Sequence, residues 1–306
     1  MAVAGLHHVT AIASSAQATA DFCVRVLGLT LVKRTVNFDD PTSHHLYFGD
    51  ASGTPGTLVT YFAGARIRRG GKPGAGMASS IALAVPADSL ARWRPRLRRL
   101  GVPFADAPGR FGDRALALDD PDGIRIELVE HPVRAREIWP LGLHAVSLTL
   151  TQATPTLALL DRGFLMTASE DGGAIVRASG EAALGAHVDV LAAPAAAAGR
   201  MAAGAIHHVA FRARDEEHHA ALRSAVEREG LAPGETLDRR YFRSFYFREP
   251  GGVLFEVATD APGFAADEPD GLGRALCLPP WLESERTAIA AALPPFSAPA
   301  GPAPGM

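Results

Sequence analysis

Cysteine and lysine are both scarce in this chain of 306 residues. It has two cysteines, Cys23 and Cys277, and two lysines, Lys33 and Lys72. Two cysteines cannot form a disulfide framework, and no CxxC pair or Cys/His cluster indicates a structural zinc site. A reducing compartment is therefore expected.

Strong net charge and long apolar runs are also missing. The formal net charge is −3 and the pI is about 6.4, which gives no reason to expect nucleic acid as a partner. There is no apolar run of 18 residues, and no basic segment precedes the first predicted strand, so neither membrane spanning nor secretion is indicated. A composition of 47% hydrophobic and 21% charged residues is that of a globular protein, which we expect to be cytoplasmic.

One short stretch occurs twice. Residues 6–10, LHHVT, return near the other end of the chain as residues 206–210, IHHVA. Residues 121–127 and 250–256 also match, because each runs from a turn through alternating apolar residues to a glutamate. The last repeat contains both a histidine doublet and a glutamate, and the first repeat adds another histidine. This combination predicts a metal site in a repeat protein.

Hydrophobic alternation and turn residues divide the chain into four βαβββ units. We predict these units at residues 3–62, 79–129, 143–191 and 206–259. The fold class is therefore α+β. The predicted organisation is two tandem two-unit domains followed by a helical tail, with boundaries at residues 1–137, 138–262 and 263–306.

Strand geometry restricts which histidines can share a cavity. Side chains alternate along a strand, so only one member of each doublet points inward unless a β-bulge intervenes. We predict that one curved sheet presents His8, His208 and Glu256 together. Two neutral imidazoles and one carboxylate match the facial triad of non-haem Fe(II) oxygenases, which leaves three coordination positions free.

Aligning the repeats shows what each unit places at the ligand positions. Where the first and last units have His8 and His208, the second and third have Ser80 and Ala145. Where the last unit has Glu256, the first has Thr60 and the second has Glu127. Glu127 is interpreted as a structural carboxylate. The doublets 44–45 and 218–219 are interpreted as loop and helix-surface residues.

Three stretches resemble ring-cleaving dioxygenases that open para-hydroquinones, within the vicinal oxygen chelate superfamily of glyoxalases, extradiol dioxygenases and bleomycin-resistance proteins. The superfamily match covers residues 1–262, and the resemblance implies curved mixed β-sheets around a metal-binding cavity. The three stretches are residues 6–11, residues 45–57 and residues 238–256, the last of them being the most specific.

The resemblance implies Fe(II), sometimes Mn(II), held by His8, His208 and Glu256. It implies a small aromatic substrate and O₂ as partners, with no nucleic acid or membrane partner. Relatives are commonly homodimers, so a homodimer is also expected here. The catalytic candidates that it suggests are His207, His7, Arg239, Tyr246 and Thr10.

Two other classes of function stay open at this point. A glyoxalase-like lyase or isomerase, or a thiol transferase, would use the same scaffold, but lyases of this kind normally have four protein ligands, and Thr60 occupies the fourth position. Catechol-cleaving relatives take their first histidine from the third unit, where this chain has Ala145. A metal-free protein that binds a small aromatic would not need Glu256.

Overall fold

The computed structural model of the chain describes residues 1–107, 110–171, 173–269 and 271–302. Residues 303–306 of the predicted tail lie outside these ranges. The predicted α+β class and the four βαβββ units are confirmed. Among the residues described, no helix has both the length and the apolar character needed to span a membrane.

The first and last units contain the strands of one sheet. The first unit comprises β1 (Leu6–Ala13), α1 (Ala16–Asp21), β2 (Thr30–Asn37), β3 (Asp40–Gly49) and β4 (Leu58–Gly64). The last comprises β13 (Ala205–Ala213), α4 (Glu216–Arg228), β14 (Leu237–Asp238), β15 (Phe242–Arg248) and β16 (Leu254–Pro262).

The two middle units contain the strands of the other sheet. The second unit comprises β5 (Met77–Pro86), α2 (Leu90–Arg99), β6 (Phe104–Asp106), β7 (Ala115–Asp119) and β8 (Arg125–His131). The third comprises β9 (Gly142–Leu150), α3 (Thr154–Ala158), β10 (Thr167–Glu170), β11 (Ile175–Ser179) and β12 (His187–Ala192).

Each sheet has eight strands and joins two units through their first strands. The order β14-β15-β16-β13-β1-β4-β3-β2 unites the last unit with the first, and β10-β11-β12-β9-β5-β8-β7-β6 unites the third with the second. At each junction the two first strands run antiparallel, β1 beside β13 and β5 beside β9. The domain boundary between residues 137 and 138 stays a prediction. Each sheet joins one unit from before this boundary with one unit from after it.

The C-terminal tail covers the edge strand β2. Cys277 donates its backbone N–H to the carbonyl of Arg34 at 2.9 Å, and the tail continues into α5 (Arg286–Ala292). Val36 of β2 packs with Leu278 and Ile289 of the tail. An exposed edge strand invites pairing with other chains, and the tail removes that exposure.

Candidate metal centre and cavity

A β-bulge lies at each histidine doublet. In the β1–β13 pair, Leu6 lies opposite Phe211 while His8 lies opposite Ala210, so His7 is an extra residue. The same pairing skips His207 on the other strand. A bulge interrupts strict alternation, which allows both imidazoles of one doublet to turn toward the same side of the sheet.

The three predicted ligand side chains meet at one point. Nε2 of His8 is 3.2 Å from Nε2 of His208 and 3.3 Å from Oε2 of Glu256. Nε2 of His208 is 3.0 Å from the same oxygen. Neighbouring ligand atoms about 2.1 Å from an octahedral ion lie about 3.0 Å apart, so these separations suit one cation.

Glu256 is a fully buried carboxylate with an unusual environment. Neither of its oxygens accepts a well-formed hydrogen bond from a residue that the structure describes. Burial raises its pKa, but the imidazoles of His8 and His208 outweigh that effect and hold the pKa well below its usual range. When the two imidazoles are neutral they bring no positive charge to this buried carboxylate, and a bound cation is then its natural partner.

The first histidine of each doublet contacts the second. Nδ1 of His7 lies 2.8 Å from Nδ1 of His8, and the same distance separates Nδ1 of His207 from Nδ1 of His208. Burial lowers the pKa of both His7 and His207 to about 3, so both rings are neutral at pH 7. A neutral ring accepting from Nδ1–H fixes the tautomer that leaves Nε2 free as a ligand atom.

Arg239 and Tyr246 lie beside the three ligand side chains. Tyr246 is directly opposite Glu256 in the β15–β16 pair, and its ring centroid is 5.6 Å from that of His208. Burial and the charge of Glu256 raise the pKa of Tyr246, so its hydroxyl stays protonated. The Arg239 guanidinium lies over the Tyr246 ring at 5.2 Å and donates to Asp39 at 3.1 Å.

His45 was wrongly interpreted as a loop residue. It lies in β3, is 9% exposed and lines the cavity. Its Nδ1 is 2.9 Å from the hydroxyl of Tyr47, and its Nε2 is 2.9 Å from Oγ1 of Thr60. Thr60 in turn bonds Thr10 at 2.7 Å. The alternation of His45 and Tyr47 in the sequence HLYFG was the signal that could have placed them on one face.

The imidazoles of His8 and His208 line a cavity that is partly open to solvent. Aromatic rings form much of its wall, which suits a planar apolar ring, while the polar groups suit its oxygen substituents. The lining residues are His8, Asn37, Phe38, Asp39, His45, Tyr47, Phe62, His208, Arg239, Phe242 and Tyr246.

The middle units carry an arginine at the equivalent place of the second sheet. Glu127 and Asp189 have the same strand register as Thr60 and Glu256. Arg110 pairs with Glu127, and its Nη1 lies 3.5 Å from Oδ2 of Asp189. Glu127 is thus a satisfied carboxylate, as predicted.

The histidines of α4 were wrongly interpreted as surface residues. His218 and His219 are 3% and 6% exposed, because α4 packs against the outer face of the first sheet. Nε2 of His219 lies 3.2 Å from the carbonyl oxygen of Val257 in β16. Both side chains therefore belong to the packing behind the cavity.

Comparison with known proteins gives relatives over nearly the whole length of the chain. Residues 5–128 match the Glyoxalase/Bleomycin resistance protein/Dioxygenase superfamily. A Bacillus subtilis protein named as a ring-cleaving dioxygenase, MhqO, is 38% identical, covering 95% of this chain and 96% of its own. A chlorohydroquinone/hydroquinone 1,2-dioxygenase of Sphingobium indicum is 34% identical, covering 92% of this chain and 93% of its own.

Solved structures agree with this fold. A Bacillus subtilis protein named as a dioxygenase has a TM-score of 0.92 and 36% identity, covering 97% of this chain and 99% of its own. Glyoxalase I of maize has a TM-score of 0.65 at 14% identity, covering 84% of this chain and 92% of its own. The second similarity concerns the fold alone.

Proposed function

The chain belongs to the Glyoxalase/Bleomycin resistance protein/Dioxygenase superfamily, and from that premise we propose that it is a metal-dependent dioxygenase that cleaves a hydroquinone-type aromatic ring. Fe(II) is the proposed metal, with Mn(II) as its alternative. A small aromatic diol and O₂ are the proposed substrates. The homodimer and the cytoplasmic location stay predictions.

The observation that carries this proposal is the donor set. Two imidazole nitrogens and one carboxylate oxygen converge, with separations that fit three neighbouring positions of one octahedral ion. The orphaned oxygens of Glu256 support a cation at this point. His8, His208 and Glu256 would hold it, and their partners His7 and His207 would fix the tautomers of the two imidazoles.

When bound there, Fe(II) would supply neighbouring coordination positions for a ring oxygen and for O₂, together with electron transfer between them. The protein's own contribution is orientation and control of protons. The protonated hydroxyl of Tyr246 donates a hydrogen bond to an oxygen bound in the cavity. The guanidinium of Arg239, oriented by Asp39, has further N–H groups for an anionic ring-opened product. Phe62 and Phe242 exclude water around the ring.

We still predict that His207 or His7 delivers the proton to the opening ring. His207 is half-buried, and its ring centroid lies 5.4 Å from that of the cavity residue Phe62. Thr10 is proposed to act through its bond to Thr60 rather than by direct contact with the substrate.

The alternative functions fit these residues less well. Thr60 occupies the fourth ligand position and is engaged by Thr10 and His45, which disfavours the four-ligand set of a glyoxalase-like lyase, isomerase or thiol transferase. A metal-free binder would bury the Glu256 carboxylate without a compensating cation. Both alternatives predict no oxygen uptake.

The test is anaerobic reconstitution with Fe(II), followed by metal analysis and oxygen uptake on methylhydroquinone and chlorohydroquinone. We expect a single bound ion and substrate-dependent uptake. Glu256→Gln should weaken metal binding by more than about 100-fold, since even outer partners of a ligand contribute 10–100-fold. Glu127→Gln, the same change at the equivalent position of the second sheet, should retain the metal and activity. A loaded protein without oxygen uptake on either ring would refute the proposal.

A further inference from the structure

Four polar side chains form a continuous hydrogen-bonded chain along one wall of the cavity. It runs from Tyr47 through His45 and Thr60 to Thr10, with distances of 2.9, 2.9 and 2.7 Å. Tyr47 is 2% exposed, and both threonines are fully buried. Apolar residues could fill the same space without any need for hydrogen bonds, so a polar chain here suggests a task in the cavity.

Tyr47 is the counterpart of Tyr246 in the first unit. Tyr47 lies opposite Thr60 in the β3–β4 pair, just as Tyr246 lies opposite Glu256 in the β15–β16 pair. Both tyrosines line the cavity. The ligand set is not symmetric, because Glu256 has only a threonine as its counterpart. Tyr246 therefore sits beside the candidate metal ligand, while Tyr47 sits beside a neutral hydroxyl.

The three hydrogen bonds that join Tyr47, His45, Thr60 and Thr10 can run in either direction along the chain. Burial raises the pKa of Tyr47 and lowers that of His45, so both groups stay neutral. Four neutral groups then carry four protons, and three hydrogen bonds use three of them. The fourth proton remains at one end, on Tyr47 or on Thr10, and the tautomer of His45 decides which end.

The two tautomers give Tyr47 opposite hydrogen-bonding roles. With the His45 proton on Nε2, the hydroxyl of Tyr47 donates to Nδ1, and its oxygen lone pair can accept from a group in the cavity. With the proton on Nδ1, His45 donates to Tyr47, and the tyrosine O–H is free to donate into the cavity. A ring hydroxyl donates and accepts, whereas a carbonyl only accepts.

Resting on the proposed function, we propose that Tyr47 binds the second oxygen of the substrate ring, the one that the metal does not hold. The chain through His45, Thr60 and Thr10 sets whether Tyr47 donates to that oxygen or accepts from it. One residue can then hold the second oxygen as a hydroxyl in the substrate and as a carbonyl after the ring opens. The pocket should accordingly prefer a dihydroxy ring to a phenol with one hydroxyl.

The test measures binding of hydroquinone and of phenol to the metal-loaded protein without oxygen, by isothermal titration calorimetry. A hydrogen bond to a neutral group corresponds to about tenfold in affinity, so the native protein should prefer hydroquinone by about tenfold. Tyr47→Phe should remove this preference and leave phenol binding unchanged. Tyr61→Phe is the matched control, because Tyr61 is equally buried in β4 but is not among the lining residues.

A second variant tests the chain itself. Thr60→Val has nearly the same shape but removes the acceptor for Nε2 of His45, so His45 should favour one tautomer in its ¹⁵N spectrum. In the native protein, hydroquinone should shift that tautomer balance and phenol should not. If Tyr47→Phe keeps the tenfold preference while the native protein cleaves hydroquinones, this assignment fails and the proposed function stands. If the native protein takes up no oxygen but Tyr47→Phe loses the preference, the proposed function fails and the binding site stands.

Discussion

A buried lysine forms ion pairs that hold the C-terminal tail against the sheet that contains the candidate site. Lys33 of β2 is fully buried, and its Nζ lies 2.6 Å from Oδ1 of Asp267 and 2.6 Å from Oε2 of Glu268. The ring of Tyr241 lies over the ammonium at 4.9 Å, and its hydroxyl donates to Asp267. Tyr241 directly precedes Phe242 of the cavity wall, so the same cluster supports the site from behind.

Replacing Lys33 with methionine should be strongly destabilising. The substitution keeps an unbranched side chain of similar length but leaves Asp267 and Glu268 beside an apolar group. Breaking a buried ion pair by removing one partner costs about 3–5 kcal/mol, because the remaining charge is uncompensated. For a chain longer than 250 residues, at about 2 °C for each kcal/mol, the melting temperature should fall by about 6–10 °C. Lys33→Met combined with Asp267→Asn should recover most of this loss, because Asp267 is then neutral and Glu268 keeps the backbone N–H donors of residues 273–275.

Urea unfolding followed by circular dichroism measures this difference at pH 7. The matched control is Lys72→Met, which removes the only other lysine of the chain, at an exposed position, and should change the unfolding free energy by less than about 0.5 kcal/mol. The reasoning would be refuted by a Lys33→Met protein as stable as the native one. It would equally fail if the double variant were as unstable as the single variant, since lost packing rather than unpaired charge would then explain the effect.

Two further predictions concern the second sheet. Burial raises the pKa of Asp120 to about 6, so between about pH 4 and 6 the native state holds a proton that the unfolded chain releases, and stability falls as the pH rises. Asp120→Asn should therefore gain about 2–3 kcal/mol at pH 8 and nothing at pH 4 in urea titrations, whereas Asp119→Asn, at an exposed neighbour, should gain at neither pH. Arg110→Ala should lower the unfolding free energy by about 3 kcal/mol in urea titrations, because Glu127 loses its partner while Asp189 keeps its pair with Arg177; Arg110→Ala combined with Glu127→Gln should recover most of this loss, and a single variant as stable as the native protein would contradict the interpretation of Arg110 as the partner of Glu127.

The sequence was sufficient to predict the convergence of three side chains from opposite ends of the chain. His8 and His208 lie in repeated segments, and Glu256 has a fixed distance from the turn of its unit. These are local patterns, and the two-residue period of a strand indicates which of their side chains share a face. Repeat alignment also identified Glu127 as a carboxylate outside the candidate site. Both inferences depend on short segments that can each be recognised from neighbouring residues in the sequence.

Only the predicted ligands indicated that the first and last units share a sheet, because hydrophobic patterns do not give the pairing of the units. Hydrophobic patterns define each strand but not its neighbour in a sheet, and nothing in the composition of β1 indicates β13 rather than β5. Burial of the histidines was missed for a related reason. His45 and His219 are polar residues whose partners, Thr60 and the carbonyl of Val257, come from other strands. A polar residue in isolation resembles a surface residue until its hydrogen-bond partners are known.

The β-bulges show that the backbone of this fold does not determine the chemistry of the side chains that it presents. All four units carry the extra residue at the same place, and in the second sheet the bulged residues are Ser79 and His144 rather than His7 and His207. The backbone that could present two ligands to one ion is therefore present twice. Among the described residues, the ligand positions of the first sheet bring two histidines and a glutamate together as a candidate metal centre, whereas a guanidinium lies between two carboxylates in the second sheet. The bulge is thus a property of the repeated unit, and the site depends on which side chains the first and last units contribute.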